Sequence, residues 1–360
     1  MYPALTVARA LASGHANKTH TPLEMLYIGS QGGVEEELVT QAGLPLTTIP
    51  AGGVRGLSPW RVAANLVKLG HGFKAAQGIV HRFAPDVALV TGGYVCTPVA
   101  LAAWRRQVPI LIYLPDLEPG LAIRALSRLA TRVAVSFPEA SRFFSKDQVF
   151  VSGYPVREAF LEADKATARE FFQLDAHAPT LVVFGGSRGA RSINRAVSAV
   201  LEPLLDTCQV IHVCGRLDAA AMNARQEGLS PTLKARYRLY DYLHDLPLAL
   251  AAADLAVARA GAATLGEFPA LGLPGILVPY PFAGAHQQVN ADFLVQRGAA
   301  LKIADTDLAA KLLPTVAALL RDPQRLAEMA RNAHNLFQPA AAARIAQEIH
   351  RLASRGALEG

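Results

Sequence analysis

The sequence predicts an α/β fold made of two doubly wound, Rossmann-like domains. Short runs rich in Val, Ile and Leu alternate with helical patterns along the chain, for example at residues 87–90, 110–113, 181–184 and 276–278. Runs that are apolar on both faces are typical of parallel strands covered by helices on both sides. Glycine-rich turns follow several of these runs, and a length of 360 residues suits two domains. The alternation therefore favours two doubly wound sheets.

The chain is expected to divide near residues 152–155, where Gly153 and Pro155 interrupt an apolar run. A connecting helix and loop follow at residues 158–178, and a new strand begins at Thr180. The last segment is helical by composition and is expected to pack back on the first domain. The predicted domains are residues 1–155, residues 156–338 and a returning helix at 339–360. The predicted strands, in chain order, are residues 25–28, 87–90, 110–113, 133–135, 149–151, 181–184, 210–213, 255–257 and 276–278.

Composition excludes several classes of protein. The net charge of +6 suits an anionic partner, but the sequence has no RNA-binding signature, so no nucleic-acid partner is expected. Three scattered cysteines give neither a disulfide framework nor zinc-ligand spacing. The one Asp-x-Asp string, residues 305–307, is interpreted as a helix N-cap, and no metal site is predicted. No apolar run reaches the ~18 residues of a spanning helix, and the first residues do not resemble a signal peptide.

Residues 184–194, with the sequence FGGSRGARSIN, form the first motif that carries chemistry. The motif follows a predicted strand and opens a helix. Glycines let the backbone approach a phosphate closely, and the N–H groups of a helix N-terminus bind anions. The pattern favours a phosphate site, and the alternative is a tight strand–helix turn that binds no ligand.

Two further motifs follow strands of the second domain. Residues 259–267 place Glu267 one turn into a helix, where its carboxylate can accept hydrogen bonds from both hydroxyls of a ribose. The alternative is an acidic residue that satisfies the helix dipole. Residues 279–291 end a strand in a Pro/Gly loop and start a helix. There Gln287 and Gln288 either bind sugar hydroxyls or are ordinary polar residues of a helix start.

The first domain and its boundary contribute two more motifs. Gly92, Gly93 and Tyr94 lie between a predicted strand and a helix, in a turn typical of an anion-binding nest. Arg157 places a cation at the expected domain boundary, and the alternative for it is a solvated side chain.

Together these motifs, in this order and spacing, resemble the MurG family. The resemblance covers essentially the whole chain and is most specific at residues 261–291, GAATLGEFPALGLPGILVPYPFAGAHQQVNA, which are very similar to the family's donor-site signature. That family transfers N-acetylglucosamine from UDP-GlcNAc to the lipid-linked muramyl-pentapeptide precursor of peptidoglycan. The resemblance implies the GT-B fold, in which a cleft separates two Rossmann-like domains.

The resemblance also implies roles for individual residues. Glu267 would hold the ribose hydroxyls, Leu243 would meet uracil through its backbone, and Gln287 and Gln288 would bind the GlcNAc hydroxyls. Gly92, Gly93 and Tyr94 would belong to the acceptor-side loop. The complete set of implied donor-binding residues is Arg157, Ser187, Arg188, Gly189, Asn194, Leu243, Ala262, Thr264, Glu267, Gln287 and Gln288.

Two departures from the family pattern affect the expected catalytic base. The family begins with a strand and a GGTGGH loop, whereas this sequence starts at Met1 inside the match to the following helix, so the loop and its candidate base His are missing. A misassigned start or a truncated gene is the expected explanation. The family's HEQNxxPG string is replaced at residues 113–120, with Tyr113 for His and Asp116 for Asn. Asp116 and Glu118 are therefore the predicted general-base candidates.

The resemblance implies UDP-GlcNAc as donor and a polyprenyl-pyrophosphate-linked acceptor. We expect an inverting transfer without an obligatory cofactor, since helix N-termini can stabilise the leaving diphosphate. Residues 57–83 form either a basic amphipathic helix that contacts an anionic membrane or a core-facing helix with a solvated basic face. The expected location is peripheral, at the cytoplasmic face of the plasma membrane. The alternatives are a related transferase with a different lipid or sugar acceptor, and a catalytically impaired UDP-sugar-binding protein.

Overall fold

The computed structural model divides the chain into two units, Met1–Pro155 with Gln338–Gly360 (unit 1) and Val156–Phe337 (unit 2). It describes residues 1–16, 23–33, 35–52, 59–186, 190–281 and 286–359, without the side chains of 15, 16, 59–64, 66 and 355–359. Every helix in this described part of the chain is too short or too polar to cross a bilayer.

The described strands of unit 1 are all parallel and form a two-stranded and a four-stranded sheet. The first sheet has the order β1-β2 and the second the order β3-β4-β5-β6. The strands are β1 (Tyr27–Ser30), β2 (Leu46–Ile49), β3 (Ala88–Val90), β4 (Ile110–Leu114), β5 (Arg132–Val135) and β6 (Val149–Val151).

Helices cover both faces of the four-stranded sheet because alternate side chains of its strands point to opposite faces. On one face Leu111 and Tyr113 pack with Val7 and with Ile345 of the last helix. On the other, Ile112 and its neighbours pack against the helix that follows β3. The helices of this unit are α1 (Tyr2–Ala16), α2 (Glu35–Gln41), α3 (Pro59–Phe83), α4 (Cys96–Arg105), α5 (Leu121–Leu126), a 3-10 helix (Pro138–Phe143) and, at the end of the chain, α17 (Ala341–Glu359).

Unit 2 contains a single sheet among the described residues, with six parallel strands in the order β12-β11-β10-β7-β8-β9. The central strands are buried on both faces, which explains their continuous apolar sequence. The strands are β7 (Thr180–Phe184), β8 (Gln209–Val213), β9 (Tyr237–Tyr240), β10 (Leu255–Ala258), β11 (Gly275–Leu277) and β12 (Ala300–Lys302).

Two residues of unit 2, Asp164 and Gly272, have clear roles at helix ends. The Asp164 carboxylate accepts a hydrogen bond from the Thr167 N–H at the start of α7, and Gly272, with φ of 58°, ends α13 in the left-handed conformation. The helices are α6 (Glu158–Leu161), α7 (Lys165–Phe171), α8 (Arg191–Ala199), α9 (Leu201–Thr207), α10 (Ala219–Glu227), α11 (Pro231–Lys234), α12 (Leu246–Ala252), α13 (Thr264–Leu271), α14 (His286–Gln296), a 3-10 helix (Asp305–Asp307), α15 (Leu308–Leu320) and α16 (Pro323–His334).

The structure adds three strands to those predicted from the sequence, β2, β9 and β12. Each lies at an edge of its sheet and is partly exposed, so polar residues interrupt its apolar pattern. The single connecting helix expected within residues 158–178 is replaced by α6 and α7, because Asp164 caps a new helix start.

The Asp-x-Asp string is only partly the helix cap that the sequence suggested. Asp307 occupies the N-cap position of α15, but it makes no capping hydrogen bond through its side chain, which pairs instead with Lys311 at 2.7 Å. Asp305 accepts hydrogen bonds from Arg259 and from the Ser192 hydroxyl. The carboxylate of Asp305 therefore connects elements near the carboxyl edge of the unit 2 sheet.

Candidate functional site

The carboxyl edge of the unit 2 sheet contains the point where the strand order reverses. From β7 the chain continues to β8 and β9 on one side, while β10, β11 and β12 extend the sheet on the other side. Parallel α/β sheets bind ligands at such a switch point, outside the carboxyl ends of the strands. Phe184 and Ala258, the last residues of β7 and β10, are paired in register. The loops that follow these two strands therefore start side by side.

The loop after β7 carries the first glycine motif and leads into α8. Gly186 has a φ of 88°, a conformation that L side chains rarely adopt. Among the described residues, nothing lies within 4 Å of where a Cβ would stand at Gly186, so backbone conformation rather than space favours glycine there. Ser187, Arg188 and Gly189, predicted to lie at the diphosphate, fall outside the described residues.

The loop after β10 leads into α13 through Gly261 and Ala262. The Thr264 hydroxyl donates a hydrogen bond to the Gly261 carbonyl at 2.7 Å, and the Thr264 N–H bonds to the same carbonyl. These bonds hold the helix start in a tight turn, with Ala263 at the N-cap. The side chain of Thr264 is thus used within the turn, whereas the side chain of Ala262, a methyl group, offers no hydrogen-bonding atom. The N-termini of α8 and α13 together provide two sets of amide groups at adjacent strand ends.

Glu267 lies in the first turn of α13 and is 6% exposed. Burial raises the pKa of Glu267 to about 7, and the charge of Arg157 opposes that rise. The Arg157 Nη2 atom lies 3.7 Å from Glu267 Oε1, and the Arg157 guanidinium also stacks 4.8 Å from the centre of the Phe160 ring. The structure therefore brings together Arg157 and Glu267, two predicted site residues that are far apart in sequence.

The remaining predicted donor residues of unit 2 also follow strand ends. Gln287 lies in the first turn of α14 and uses Oε1 to accept a hydrogen bond from the Tyr280 N–H at 2.9 Å, while Gln288 beside it is exposed. Leu243 lies after β9 and is half-buried. Asn290 is buried and donates a hydrogen bond to the Ala260 carbonyl at 3.2 Å, which ties α14 to the loop after β10.

Asn194 has a different setting from the one expected of a direct donor contact. It is buried in α8, and its Nδ2 donates to the Cys214 carbonyl at 2.7 Å and to Asp218 at 2.8 Å. Its Oδ1 lies 3.0 Å from Nε2 of His212. The amide is thus hydrogen-bonded inside the protein at both ends, and this bonding supports an indirect role.

Sequence reasoning did not assign a role to Arg259, which lies at the centre of the switch point. Its guanidinium donates to the Val278 carbonyl, to Asp305 and to the Ser192 hydroxyl, and it lies 5.3 Å from the centre of the Tyr280 ring. These contacts join α8 to the ends of β10, β11 and β12. A cation directly before a glycine turn is the one sequence signal that could have indicated this role. Among the described residues, no group of three or more His, Cys, Asp or Glu side chains could hold a metal ion.

In unit 1, two loops with predicted roles leave the same edge of the four-stranded sheet. Gly92 and Gly93, with φ of 105° and 88°, follow β3, and Tyr94 after them is 64% exposed. Asp116 and Glu118 follow β4, which pairs with β3 in parallel register. The structure therefore places the loop predicted to lie on the acceptor side and the two candidate bases at the same sheet edge.

The carboxylate of the candidate base Glu118 pairs with Arg142, whose Nη2 atom lies 3.3 Å from it. Asp116 is half-buried. Tyr113, which stands where the family has His, is 1% exposed, and its hydroxyl lies 2.8 Å from that of Ser136. The Ser136 hydroxyl in turn donates to the Leu114 and Pro115 carbonyls at 3.3 and 3.2 Å. Tyr113 thus supports the backbone just before Asp116.

Both halves of the chain match a known glycosyltransferase family. Residues 1–135 match the glycosyltransferase family 28 N-terminal domain, and residues 180–349 match its C-terminal domain. The chain is 42% identical to the UDP-N-acetylglucosamine--N-acetylmuramyl-(pentapeptide) pyrophosphoryl-undecaprenol N-acetylglucosamine transferase of Roseiflexus sp. (strain RS-1), with 99% of this chain and 93% of the relative covered. The enzyme of the same name from Desulforudis audaxviator (strain MP104C) is 41% identical, with 99% and 96% covered.

Solved structures agree with this assignment. Acinetobacter baumannii MurG is similar with a TM-score of 0.71 and 25% identity, over 97% of this chain and 95% of that one. The UDP-GlcNAc 2-epimerase from Neisseria meningitidis, bound to UDP-GlcNAc, has a TM-score of 0.69, with 97% of each chain covered, but at 13% identity it supports only the fold. The chain has the GT-B fold of two Rossmann-like units, and it belongs to glycosyltransferase family 28 and, within it, to the MurG family of hexosyltransferases.

Proposed function

We propose that this chain transfers N-acetylglucosamine from UDP-GlcNAc to a lipid-linked muramyl-pentapeptide in peptidoglycan synthesis. Four transferases named for this reaction are 37–42% identical to it over 99% of its length. The single structural observation that carries the proposal is the convergence, at one switch point, of two helix N-termini and the buried carboxylate of Glu267.

On the donor side, the amide groups at the starts of α8 and α13 would bind the diphosphate, and Glu267 would accept hydrogen bonds from the ribose hydroxyls. Leu243 would contact uracil through its backbone, and Gln287 and Gln288 would bind the sugar. Arg157 would hold Glu267 and contribute positive charge near the nucleotide. No obligatory metal is proposed, because amide dipoles and guanidinium groups can stabilise the developing charge of the leaving diphosphate.

On the acceptor side, we assign Asp116 as the general base, with Glu118 as the alternative. The acceptor hydroxyl oxygen forms a bond to the anomeric carbon while the bond from that carbon to the UDP oxygen breaks, so the configuration inverts. The hydroxyl proton passes to the Asp116 carboxylate, and UDP leaves with the electron pair. Gly92, Gly93 and Tyr94, at the same sheet edge, would belong to the acceptor-binding loop.

A lipid acceptor would bring the chain to an anionic membrane surface, at the cytoplasmic face of the plasma membrane. Val67 on α3 and Trp104 on α4 are 60% and 53% exposed, and the basic side chains of Lys68, Lys74 and Arg105 are exposed on the same two helices. These residues support peripheral contact. The apolar residues Ala76, Ile79 and Val80 in the second half of α3 are buried in the core, so that part of the amphipathic pattern has a structural role.

The decisive experiment measures UDP release from UDP-GlcNAc with different acceptors. Release with the muramyl-pentapeptide lipid supports the proposal. Release only with another lipid or sugar acceptor would favour a related transferase of different specificity. Donor binding without release with any acceptor would favour a UDP-sugar-binding protein that lacks turnover.

A further inference from the structure

A continuous chain of polar side chains runs from the buried Tyr237 and His212 to the half-buried Asp218 and the exposed Arg191 at the start of α8. The Tyr237 hydroxyl on β9 lies 2.8 Å from Nδ1 of His212 on β8, and His212 Nε2 lies 3.0 Å from Oδ1 of Asn194. Asn194 Nδ2 donates to Asp218 at 2.8 Å, and Asp218 accepts a hydrogen bond from Arg191, the first residue of α8, at 3.1 Å. This chain, which we call the His212 network, links two outer strands of the sheet to the helix that follows the glycine loop.

The hydrogen bonds of the His212 network have only one consistent direction. Asn194 faces the Cys214 carbonyl and the Asp218 carboxylate, which both accept, so its NH2 group must point at them and its oxygen at His212. A flipped amide would turn Oδ1 of Asn194 toward the Cys214 carbonyl and the Asp218 carboxylate, so two acceptors would face each other at each of these contacts. His212 must therefore donate from Nε2 and accept from the Tyr237 hydroxyl at Nδ1, which defines the neutral Nε2–H tautomer.

We propose that His212 is a positioning residue for the donor diphosphate: as the Nε2–H tautomer it fixes Asn194, and through Asn194 and Asp218 it fixes the first turn of α8. The inference rests on the proposed function, since it assigns the α8 N-terminus to the diphosphate. The positioning role predicts a change in the affinity for the donor and no change in the KM for the acceptor.

Three of the first four residues of α8 are bonded to other elements, which supports a role in positioning. Arg191 pairs with Asp218, and Asn194 bonds to His212. On the other side of the helix start, the Ser192 hydroxyl donates to Asp305 at 2.7 Å. Amide groups that bind a diphosphate must be held in place before the ligand arrives, because small displacements weaken such a site strongly.

The cost of burying His212 argues against a role in packing alone. His212 is fully buried in a sheet face that otherwise packs through apolar residues such as Val210. Burial lowers the pKa of His212 to about 3, with the charge of Asp218 opposing the shift, so the ring stays neutral under ordinary conditions. A buried polar group costs free energy unless it is hydrogen-bonded, and an apolar residue would fill this space without that cost.

The test compares UDP-GlcNAc binding and turnover in His212→Phe, His212→Gln and Gln209→Leu. Phe removes the donor to Asn194, so the donor Kd and KM should rise about tenfold while the KM for the acceptor stays unchanged. Gln offers an N–H near the position of Nε2 and should recover part of the affinity. Gln209 is the matched control, since it is a buried hydrogen-bonding residue at the opposite end of the same strand. Its replacement should lower the melting temperature but leave the donor Kd within about twofold.

The outcomes separate this inference from the proposed function. A wild-type protein that does not bind UDP-GlcNAc would overturn both. A wild-type protein that binds, together with a folded His212→Phe variant of equal donor affinity, would overturn only the positioning role. If His212→Phe does not fold, two other measurements test the inference: the donor Kd of Tyr237→Phe, and the ¹⁵N chemical shifts of the His212 ring in the wild-type protein, which show which ring nitrogen is protonated. A protonated Nδ1, or a Tyr237→Phe variant with unchanged donor Kd, would refute the inference.

Discussion

The affinity for UDP-GlcNAc should depend on pH through the carboxylate of Glu267. Burial raises the pKa of this group to about 7 despite the nearby charge of Arg157. A ribose diol donates hydrogen bonds, so it binds an ionised carboxylate, which only accepts, better than the protonated acid. The fraction of protein that is competent to bind the donor should therefore follow the ionised fraction of Glu267.

The size of the effect follows from the position of this pKa. With a pKa of about 7, Glu267 is roughly 90% ionised at about pH 8 and roughly 10% ionised at about pH 6. The apparent Kd varies inversely with the competent fraction, so it should rise about tenfold, or ~1.4 kcal/mol, over this range. A glutamate at the ordinary pKa of 4.5 would stay almost fully ionised and would change the Kd by only a few per cent.

The assay is titration calorimetry with UDP-GlcNAc between about pH 6 and about pH 8, without acceptor. UDP itself is less suitable, because its terminal phosphate titrates near pH ~6 and would add a pH dependence of its own. Glu267→Gln is the matched variant and should give a weaker but pH-independent Kd. Uridine, which keeps the ribose without phosphates, should retain the pH dependence in the wild-type protein. A flat wild-type profile, or the same slope in Glu267→Gln, would refute the reasoning.

The stability of the ligand-free protein should fall as pH rises, whereas its affinity for UDP-GlcNAc should increase. Because the folded pKa of Glu267 lies above the unfolded value of 4.5, the folded state binds more protons between about pH 4.5 and 7. The stability that the protonated Glu267 contributes is fully present below about pH 4.5 and is lost as pH rises to about 7. The loss in unfolding free energy is on the order of 3 kcal/mol. The difference in unfolding free energy between the wild-type protein and Glu267→Gln should show this loss in denaturant titrations.

Four further substitutions test the other assignments. Arg157→Gln should move the midpoint of the donor-binding profile above about pH 7, since the guanidinium favours the ionised carboxylate; an unchanged midpoint in the same calorimetry would contradict this coupling. Asp116→Asn should lower kcat by about 10²–10⁴-fold without changing the donor Kd. A larger loss in Glu118→Gln would transfer the role of base to Glu118. Trp104→Ser should weaken sedimentation with anionic vesicles by up to about tenfold, and equal binding of both proteins would argue against this membrane surface.

Much of the fold could be predicted from the sequence because central parallel strands are buried on both faces. Strands β7 and β10 contain the unbroken apolar runs of residues 181–184 and 255–258, and β8 has a similar run that His212 interrupts. The glycine turns after β7 and β10 are local features as well. Edge strand β9 has one exposed side, so its sequence, YRLY, mixes polar and apolar residues and has no distinctive period. Local pattern is thus sufficient for the interior of a sheet and insufficient for its edges.

The candidate site was predictable only where it depends on local sequence. The glycine loops and Glu267 belong to continuous motifs, whereas the His212 network depends on the register between β8 and β9, in which His212 pairs with Leu239. The contact between Arg259 and Asp305 joins residues 46 positions apart, and neither side chain signals its partner in the sequence. Contacts between residues far apart in sequence depend on tertiary packing. Sequence motifs therefore identify the residues that approach a ligand, but not the residues that position those ligand-binding residues.

The same distinction bears on the two interpretations of Glu267, as a ribose ligand or as an acid that satisfies a helix dipole. Asp164, an exposed acidic residue at the start of α7, has a pKa that is lowered by hydrogen bonds from Thr167. An acid that only complements a helix N-terminus gains from its charged form in this way. Glu267 has the reverse shift, because burial outweighs the attraction of Arg157. A buried carboxylate whose charged form is destabilised is typical of a binding site, because ligand hydroxyls can replace the hydrogen bonds lost on burial. The comparison with Asp164 therefore favours the role of Glu267 as a ribose ligand.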